Sequence, residues 1–127
     1  ERVNKMYPIQ SVFEAGGLIV GGSDWAVTTM NPLIAIETAI TRKDPEDRLN
    51  GTLNKDERMG LTEMLKAYTI NAAYIMHQDN ITGSIEAGKF ADLIILDKNL
   101  YNITPNEISE VRVVATIIEG KTVFSIK

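Results

Sequence analysis

Asp24 is the residue of this sequence best placed to do chemistry. It follows a short apolar run, Leu18-Ile-Val20, through the turn-forming residues Gly21-Gly22-Ser23. A carboxylate there can ligate a hard or borderline cation, or take a proton from water that a cation polarises. An aspartate in the same place can equally turn the chain or cap a short helix, and the residues alone leave both readings open. Ser23 invites a nucleophile reading, but nothing nearby in sequence supplies the base that a serine nucleophile requires. A turn residue or a supporting hydrogen bonder suits it better. Trp25, Thr28 and Met30 follow on the same loop and are candidates to line a substrate pocket, Trp25 foremost, against the plainer reading of packing under the loop.

Three other features tempt and do not hold. His77, the one histidine of the chain, falls late in a helical stretch with only Asp79 at ligand spacing. A cation near a helix end, or a surface residue, describes it better than a metal ligand. Gly83 to Lys89 nearly spells a phosphate-binding loop, Gly-x-x-x-x-Gly-Lys, but Phe90 stands where Ser or Thr would hold magnesium. A strand follows it where phosphate binding needs a helix N-terminus. The Asn-x-Thr triplets at Asn50, Asn80 and Asn102 match the glycosylation sequon, yet nothing else points to secretion, and chance accounts for them.

The elements that must carry these residues read as follows. Ile9, Val12 and Phe13 recur at helical spacing within 8–15, and Gly16-Gly17 stops that helix. Leu18 to Val20, apolar on both faces and bounded by glycine, suits a strand buried in a parallel sheet. Asn31 is an N-cap with Pro32 at the first helical position. Leu33, Ile36 and Ile40 then share a face, with Arg42 and Lys43 at the C-terminal end. Residues 44–56 read as a polar loop. A further helix opens at Leu61 after Gly60 and runs through Met64, Leu65 and Tyr68, and Thr69 or Asn71 caps another over 72–77. Beyond Asp79 the pattern turns extended: Ile85 begins it, and Ala91 to Leu96 is an apolar strand. Thr104-Pro105-Asn106-Glu107 is a capping box. Val111 to Ile118 and Lys121 to Ile126 are strands, and the two residues Glu119-Gly120 between them imply a tight hairpin. The chain thus reads as α/β up to about residue 80 and mostly β beyond it.

Composition narrows the function. With 44% hydrophobic and 24% charged residues the chain belongs among folded rather than disordered sequences. Its net charge is −4, and its 13 basic residues are scattered singly, which argues against a nucleic-acid partner. The absence of cysteine excludes disulfides and thiolate metal sites. No apolar run approaches the roughly 20 residues of a membrane helix, so no membrane role is expected. Localisation stays open, with a cytoplasmic setting favoured. The 127 residues suffice for one compact core. Their start at Glu1, without an initiator methionine and within what reads as a helix, suggests a piece of a longer protein.

Several stretches resemble one family. Gly22-Ser-Asp-Trp25 before a helix that opens Asn31-Pro-Leu33 looks like the last strand and helix of the metal-dependent amidohydrolase superfamily. The likeness continues through Leu65 to Tyr74, is strongest from Gly83 to Asp97, and closes from Val114 to Phe124. Among the branches the chain most resembles the third amidohydrolase family. The resemblance implies a (β/α)8 barrel with a small composite β-sandwich; such a barrel needs roughly 250 residues, so the chain would hold only its C-terminal part. Residues 1–80 would be the end of the barrel and 81–127 part of the sandwich. It also implies hydrolysis of a non-peptide carbon–nitrogen bond by water held on one or two divalent cations, commonly zinc. Their ligands are histidines on earlier strands and an aspartate ending the eighth, for which Asp24 is the counterpart here. By that reading Asp24 is both catalytic and a metal ligand, and Trp25 touches a small-molecule substrate. The isolated chain would be inactive and hold no metal tightly. Its unpartnered strand, Leu18 to Val20, would draw it into a homo-oligomer. Two alternatives belong to other classes: a stand-alone α/β binding or structural module without catalysis, and a nucleotide binder using Gly88-Lys89.

Overall fold

The computed structural model describes residues 3–46 and 51–126; Asn50 of the first sequon and the middle of the 44–56 loop lie outside them. A single 3-10 turn, Val3–Lys5, leads into helix α1, Ile9–Glu14. Its end is a two-bond cap: the amides of Gly16 and Gly17 donate to the carbonyls of Phe13 and Val12, each at 2.9 Å. Gly16 takes φ 84°, where only glycine is at ease. A side chain at Gly17 would stand 2.6 Å from Val12 Cγ1, so the second glycine is a steric requirement.

Leu18 to Val20, expected as a strand, joins no sheet. The three strands among the described residues pair only with one another, and a strand exists only with a partner beside it. The segment and Gly21 after it instead lie against the helical residues 61–75, to which two hydrogen bonds tie them.

Helix α2 spans Pro32–Thr41, and Asn31 caps it as expected, its Oδ1 accepting from the Leu33 amide at 3.0 Å. Leu33 and Ile36 are buried and Ile40 half-buried. The helix ends on Arg42 in the left-handed region, φ 56°. Arg42 is only 7% exposed, donating from Nε to Leu53 O and from Nη2 to Met6 O. A cation at a helix end is therefore used here as an internal tie between three segments. Helix α3 spans Leu61–Ala67 from Gly60, and α4 spans Ile70–Ile75. The second break falls at Thr69, but the Thr69 hydroxyl donates to Leu65 O at 2.7 Å instead of capping α4. Asn71 lies inside α4 rather than before it. His77 lies past the end of α4, at φ 58°, so it is a turn residue and not part of a helix.

All four α-helices among the described residues precede residue 80 and all three strands follow it. The strands are β1 (Leu93–Leu96), β2 (Val113–Ile118) and β3 (Lys121–Ser125), antiparallel in that order. Leu93 stands opposite Ile117, and Ala115 opposite Ser125. The paired part of the first strand is thus two residues shorter than the apolar run that announces it. In the hairpin turn Glu119 and Gly120 both have positive φ, 49° and 76°, as a two-residue turn matched to strand twist needs. Their amides donate to Asp92 Oδ1 at 2.8 Å and Ala91 O at 3.1 Å, fastening the turn to the approach to β1.

One core joins the two halves. Leu33 and Ile36 of α2, Met59 and Met64 pack with Leu100, Ile108 and Val111 from the segment between β1 and β2. Each such side chain, fully buried, contributes about 1.5–3 kcal/mol. That segment contains the short 3-10 helix Pro105–Glu110, where the carboxylate of Glu107 accepts from both the amide and the hydroxyl of Thr104. Glu37 is buried against it, accepting from the Ser109 amide at 2.8 Å.

Candidate functional site

The approach to Asp24 is fixed from behind. The Gly21 amide donates to Ala67 O at 3.0 Å, at the end of α3, and Asn71 Nδ2 donates to Ile19 O at 2.9 Å, from α4. Gly21 lies against the Tyr68 ring so closely that a Cβ would meet Cε2 at 2.3 Å. Tyr68 is half-buried there, and burial pushes its phenol above the ordinary tyrosine range. Asp24 then opens a tight turn, its carbonyl accepting from the Val27 amide at 2.7 Å. The Thr28 hydroxyl donates to the carbonyl of Ser23, closing the loop a second time. Asp24 itself takes φ 49°, a left-handed geometry that a short polar side chain tolerates.

The candidate residues are not all brought together. Asp24 and Trp25 are exposed, Trp25 at 65%, and so are Val27 and Met30. A cleft of about 770 Å³ lies along the flanks of this loop, lined by Gly22, Thr28 and Thr29 with Thr38, Arg42 and Lys43. Asp24, Trp25 and Met30 do not line it; Thr28 alone of the expected pocket residues does. Ser23 is half-buried and offers its carbonyl to Thr28. The first turn of the near-phosphate loop is occupied by its own side chains. Lys89 Nζ donates to Ser84 Oγ at 2.6 Å and stands 3.5 Å from Glu86, while Ser84 donates to Glu86 at 2.5 Å. These contacts hold the Glu86 carboxyl below its ordinary range, first through Ser84. A lysine so engaged has little left for phosphate.

No group of three His, Cys, Asp or Glu side chains comes together among the described residues. The oxygen of Asp24 suits a hard or borderline cation as one ligand, but catalytic zinc sites use three protein ligands. The residues present do not by themselves make a metal centre.

The comparisons with known proteins bear on what this loop belongs to. The amidohydrolase family profile matches residues 1–124, and the chain belongs to that family, as the sequence from Gly83 to Asp97 and its neighbours implied. It is 35% identical over 122 residues to the protein LONG AFTER FAR-RED 3 of Arabidopsis thaliana, covering 96% of this chain and 20% of that protein. It is 34% identical over 116 residues to the N-substituted formamide deformylase of Arthrobacter pascens, covering 91% and 21%. In fold it is similar to an amidohydrolase from Thermotoga maritima, with TM-score 0.70 and 23% identity, over 95% of this chain and 26% of that one. The chain spans about a fifth of the length of the curated relatives it matches.

What the sequence did not single out is the support behind the loop. Asn71 reads in sequence as a helix cap and Arg42 as a cation suited to the end of α2, and Glu37 carries no signal at all. No periodicity marks a polar side chain that will be used by another segment.

Proposed function

We propose that this chain is the C-terminal part of a metal-dependent hydrolase that cleaves amide-type, non-peptide carbon–nitrogen bonds, and that Asp24 is its contribution to the active centre. The observation that carries the reading is the held loop: Asp24 projects from a short turn whose approach is braced by α3 and α4, within a chain of amidohydrolase family membership. The kinship with a deformylase of N-substituted formamides supports the bond type. In this reading the segment 18–20 is the last barrel strand, residues beyond about 80 belong to a small β-domain, and neighbouring strands come from the rest of the protein.

The chemistry is addition of water to the acyl carbon, which releases a carboxylate and an amine. A divalent cation, zinc foremost, supplies electrophilic assistance when bound, and Asp24 gives it one carboxylate ligand. The same carboxylate accepts the proton of the attacking water and passes it towards the leaving nitrogen. Trp25, exposed beside it, offers an apolar wall to the substrate. The remaining ligands come from residues beyond this chain, so the chain alone is inactive and takes up no metal tightly. Alone, it also associates with a second copy through Leu18 to Val20; light scattering that finds a monomer with this segment ordered and bare goes against that.

The test is hydrolysis by the full-length protein of a panel of N-substituted formamides and N-acylated amines, with amine and carboxylate quantified together. Turnover that disappears with a chelator and returns with zinc supports the proposal. Absence of hydrolysis across the panel with a fully metallated protein counts against it.

A further inference from the structure

A strand inside a sheet receives its position from its neighbours, but the segment that leads to Asp24 has no ladder among the described residues. It is nevertheless held at three points within three residues. Asn71 Nδ2 reaches back 52 positions to the carbonyl of Ile19 at 2.9 Å, and Ala67 O takes the Gly21 amide at 3.0 Å. Tyr68 lies flush against Gly21, leaving no room for a side chain there. Asn71 is not spent on its own helix: the N-cap position of α4 belongs to Thr69. An asparagine inside a helix is less favourable than alanine, because its amide competes for backbone groups. Here the amide is given to another segment instead.

We infer that Asn71, together with the Gly21–Tyr68 contact, is the positioning device for the Asp24 carboxylate. The inference rests on the reading of Asp24 as a catalytic residue. From Gly21 only Gly22 and Ser23 intervene before Asp24. Beyond it the Val27 amide and the Thr28 hydroxyl close the loop on Asp24 O and Ser23 O. A shift at Ile19 or Gly21 is therefore transmitted to Asp24 through very few free torsions. A displacement of about 1 Å at a reacting group can cost roughly a hundredfold in rate. Asn71 acts through Asp24 and is a positioning residue; Tyr68 and Gly21 act through contact of ring and backbone.

The experiment uses the full-length protein, N-substituted formamides as substrate, and four variants: Asn71→Ala, Gly21→Ala, Asp24→Asn, and Asn71→Ala combined with Asp24→Asn. Asn71→Ala is expected to lower kcat about tenfold to a hundredfold with KM little changed. It should also speed amide hydrogen exchange across residues 18–28 and leave exchange in β2 and β3 as it was. Gly21→Ala should do the same by pushing the segment off the Tyr68 ring, and it carries the test if Asn71→Ala does not fold. In the Asp24→Asn background Asn71→Ala should add little to the loss. An equal loss in both backgrounds, or unchanged exchange across 18–28, overturns the positioning role while leaving Asp24 catalytic. Normal turnover in Asp24→Asn alone is a different result: it removes the catalytic reading of Asp24, and the positioning role with it.

Discussion

Between Thr104 and Ser125 the turns and caps are closed from within the C-terminal half of the chain, while Ile108 and Val111 pack against α2. Glu107 takes the Thr104 amide, Asp97 takes the Arg112 amide, and the hairpin turn gives its two amides to Ala91 and Asp92. Between Leu18 and Met30 the pattern is reversed. The approach to Asp24 depends on groups from α3 and α4, and Trp25, Val27 and Met30 are left exposed. The contrast shows where specification is local and where it is borrowed. The capping box finds its partners within three residues and the sheet within its own half of the chain; the loop that carries Asp24 is placed by helices about fifty positions away in sequence.

That contrast is tested most severely at Asp24. In the full-length protein Asp24→Asn keeps the shape of the loop but removes the charge, and an amide is a poor ligand and no base. Turnover should fall by at least about a hundredfold, with melting temperature held. Turnover near normal with a lowered melting temperature would instead make Asp24 a turn residue, worth about 1 kcal/mol. In the core that both regions share, Ile108→Ala should lower stability by about 2–5 kcal/mol, read from the urea midpoint, because Ile108 is fully buried between α2 and the sheet segment. A loss well under 1 kcal/mol would mean that the two halves do not depend on one another.

Smaller effects are expected where the chain is self-contained. Gly120→Ala places a side chain at φ 76° and should cost about 1–2 kcal/mol, with hydrogen exchange rising in β2 and β3 and not in 18–28. Spread of the effect to the Asp24 loop would erase the distinction between the regions. The smallest effect concerns acid. The Arg112 amide first, then its guanidinium Nε at 2.9 Å, hold the Asp97 carboxyl below its ordinary value. A lowered folded-state value means that the contribution is complete above the unfolded value and lost as pH falls through the folded one. Asp97→Asn should therefore lower stability slightly at neutral pH and leave it unchanged at strongly acid pH, which flattens the acid limb of the profile. An unchanged acid limb would show that Asp97 adds nothing there.

The parts of the fold that the sequence displays are those with local chemistry. Asn31-Pro32 announces the start of α2 and Thr104 to Glu107 the 3-10 helix at Pro105–Glu110, each through hydrogen bonds spanning two or three residues, and Glu119-Gly120 announces the hairpin through the positive φ of both residues. Leu18 to Val20 misleads in isolation because an apolar run states a tendency, while a strand needs a ladder that none of the described residues gives it. The burial of Arg42 and Glu37 is hidden for a related reason: nothing local shows that a distant carbonyl or amide is waiting for the charge. His77 falls outside α4 because the helix stops at Ile75, and boundaries within two residues are the weakest part of any periodic pattern. For the site, Asp24 becomes legible only through likeness to a family. Its brace, Asn71 and the Gly21–Tyr68 contact, has no sequence signature at all.

The fastening of the hairpin turn has a practical consequence. A two-residue turn at a sheet's tip is the usual place to splice in a tag or a loop from another protein. Here the amides of Glu119 and Gly120 are already committed to Asp92 and Ala91, so an insertion between them would release the approach to β1 as well as lengthening the hairpin.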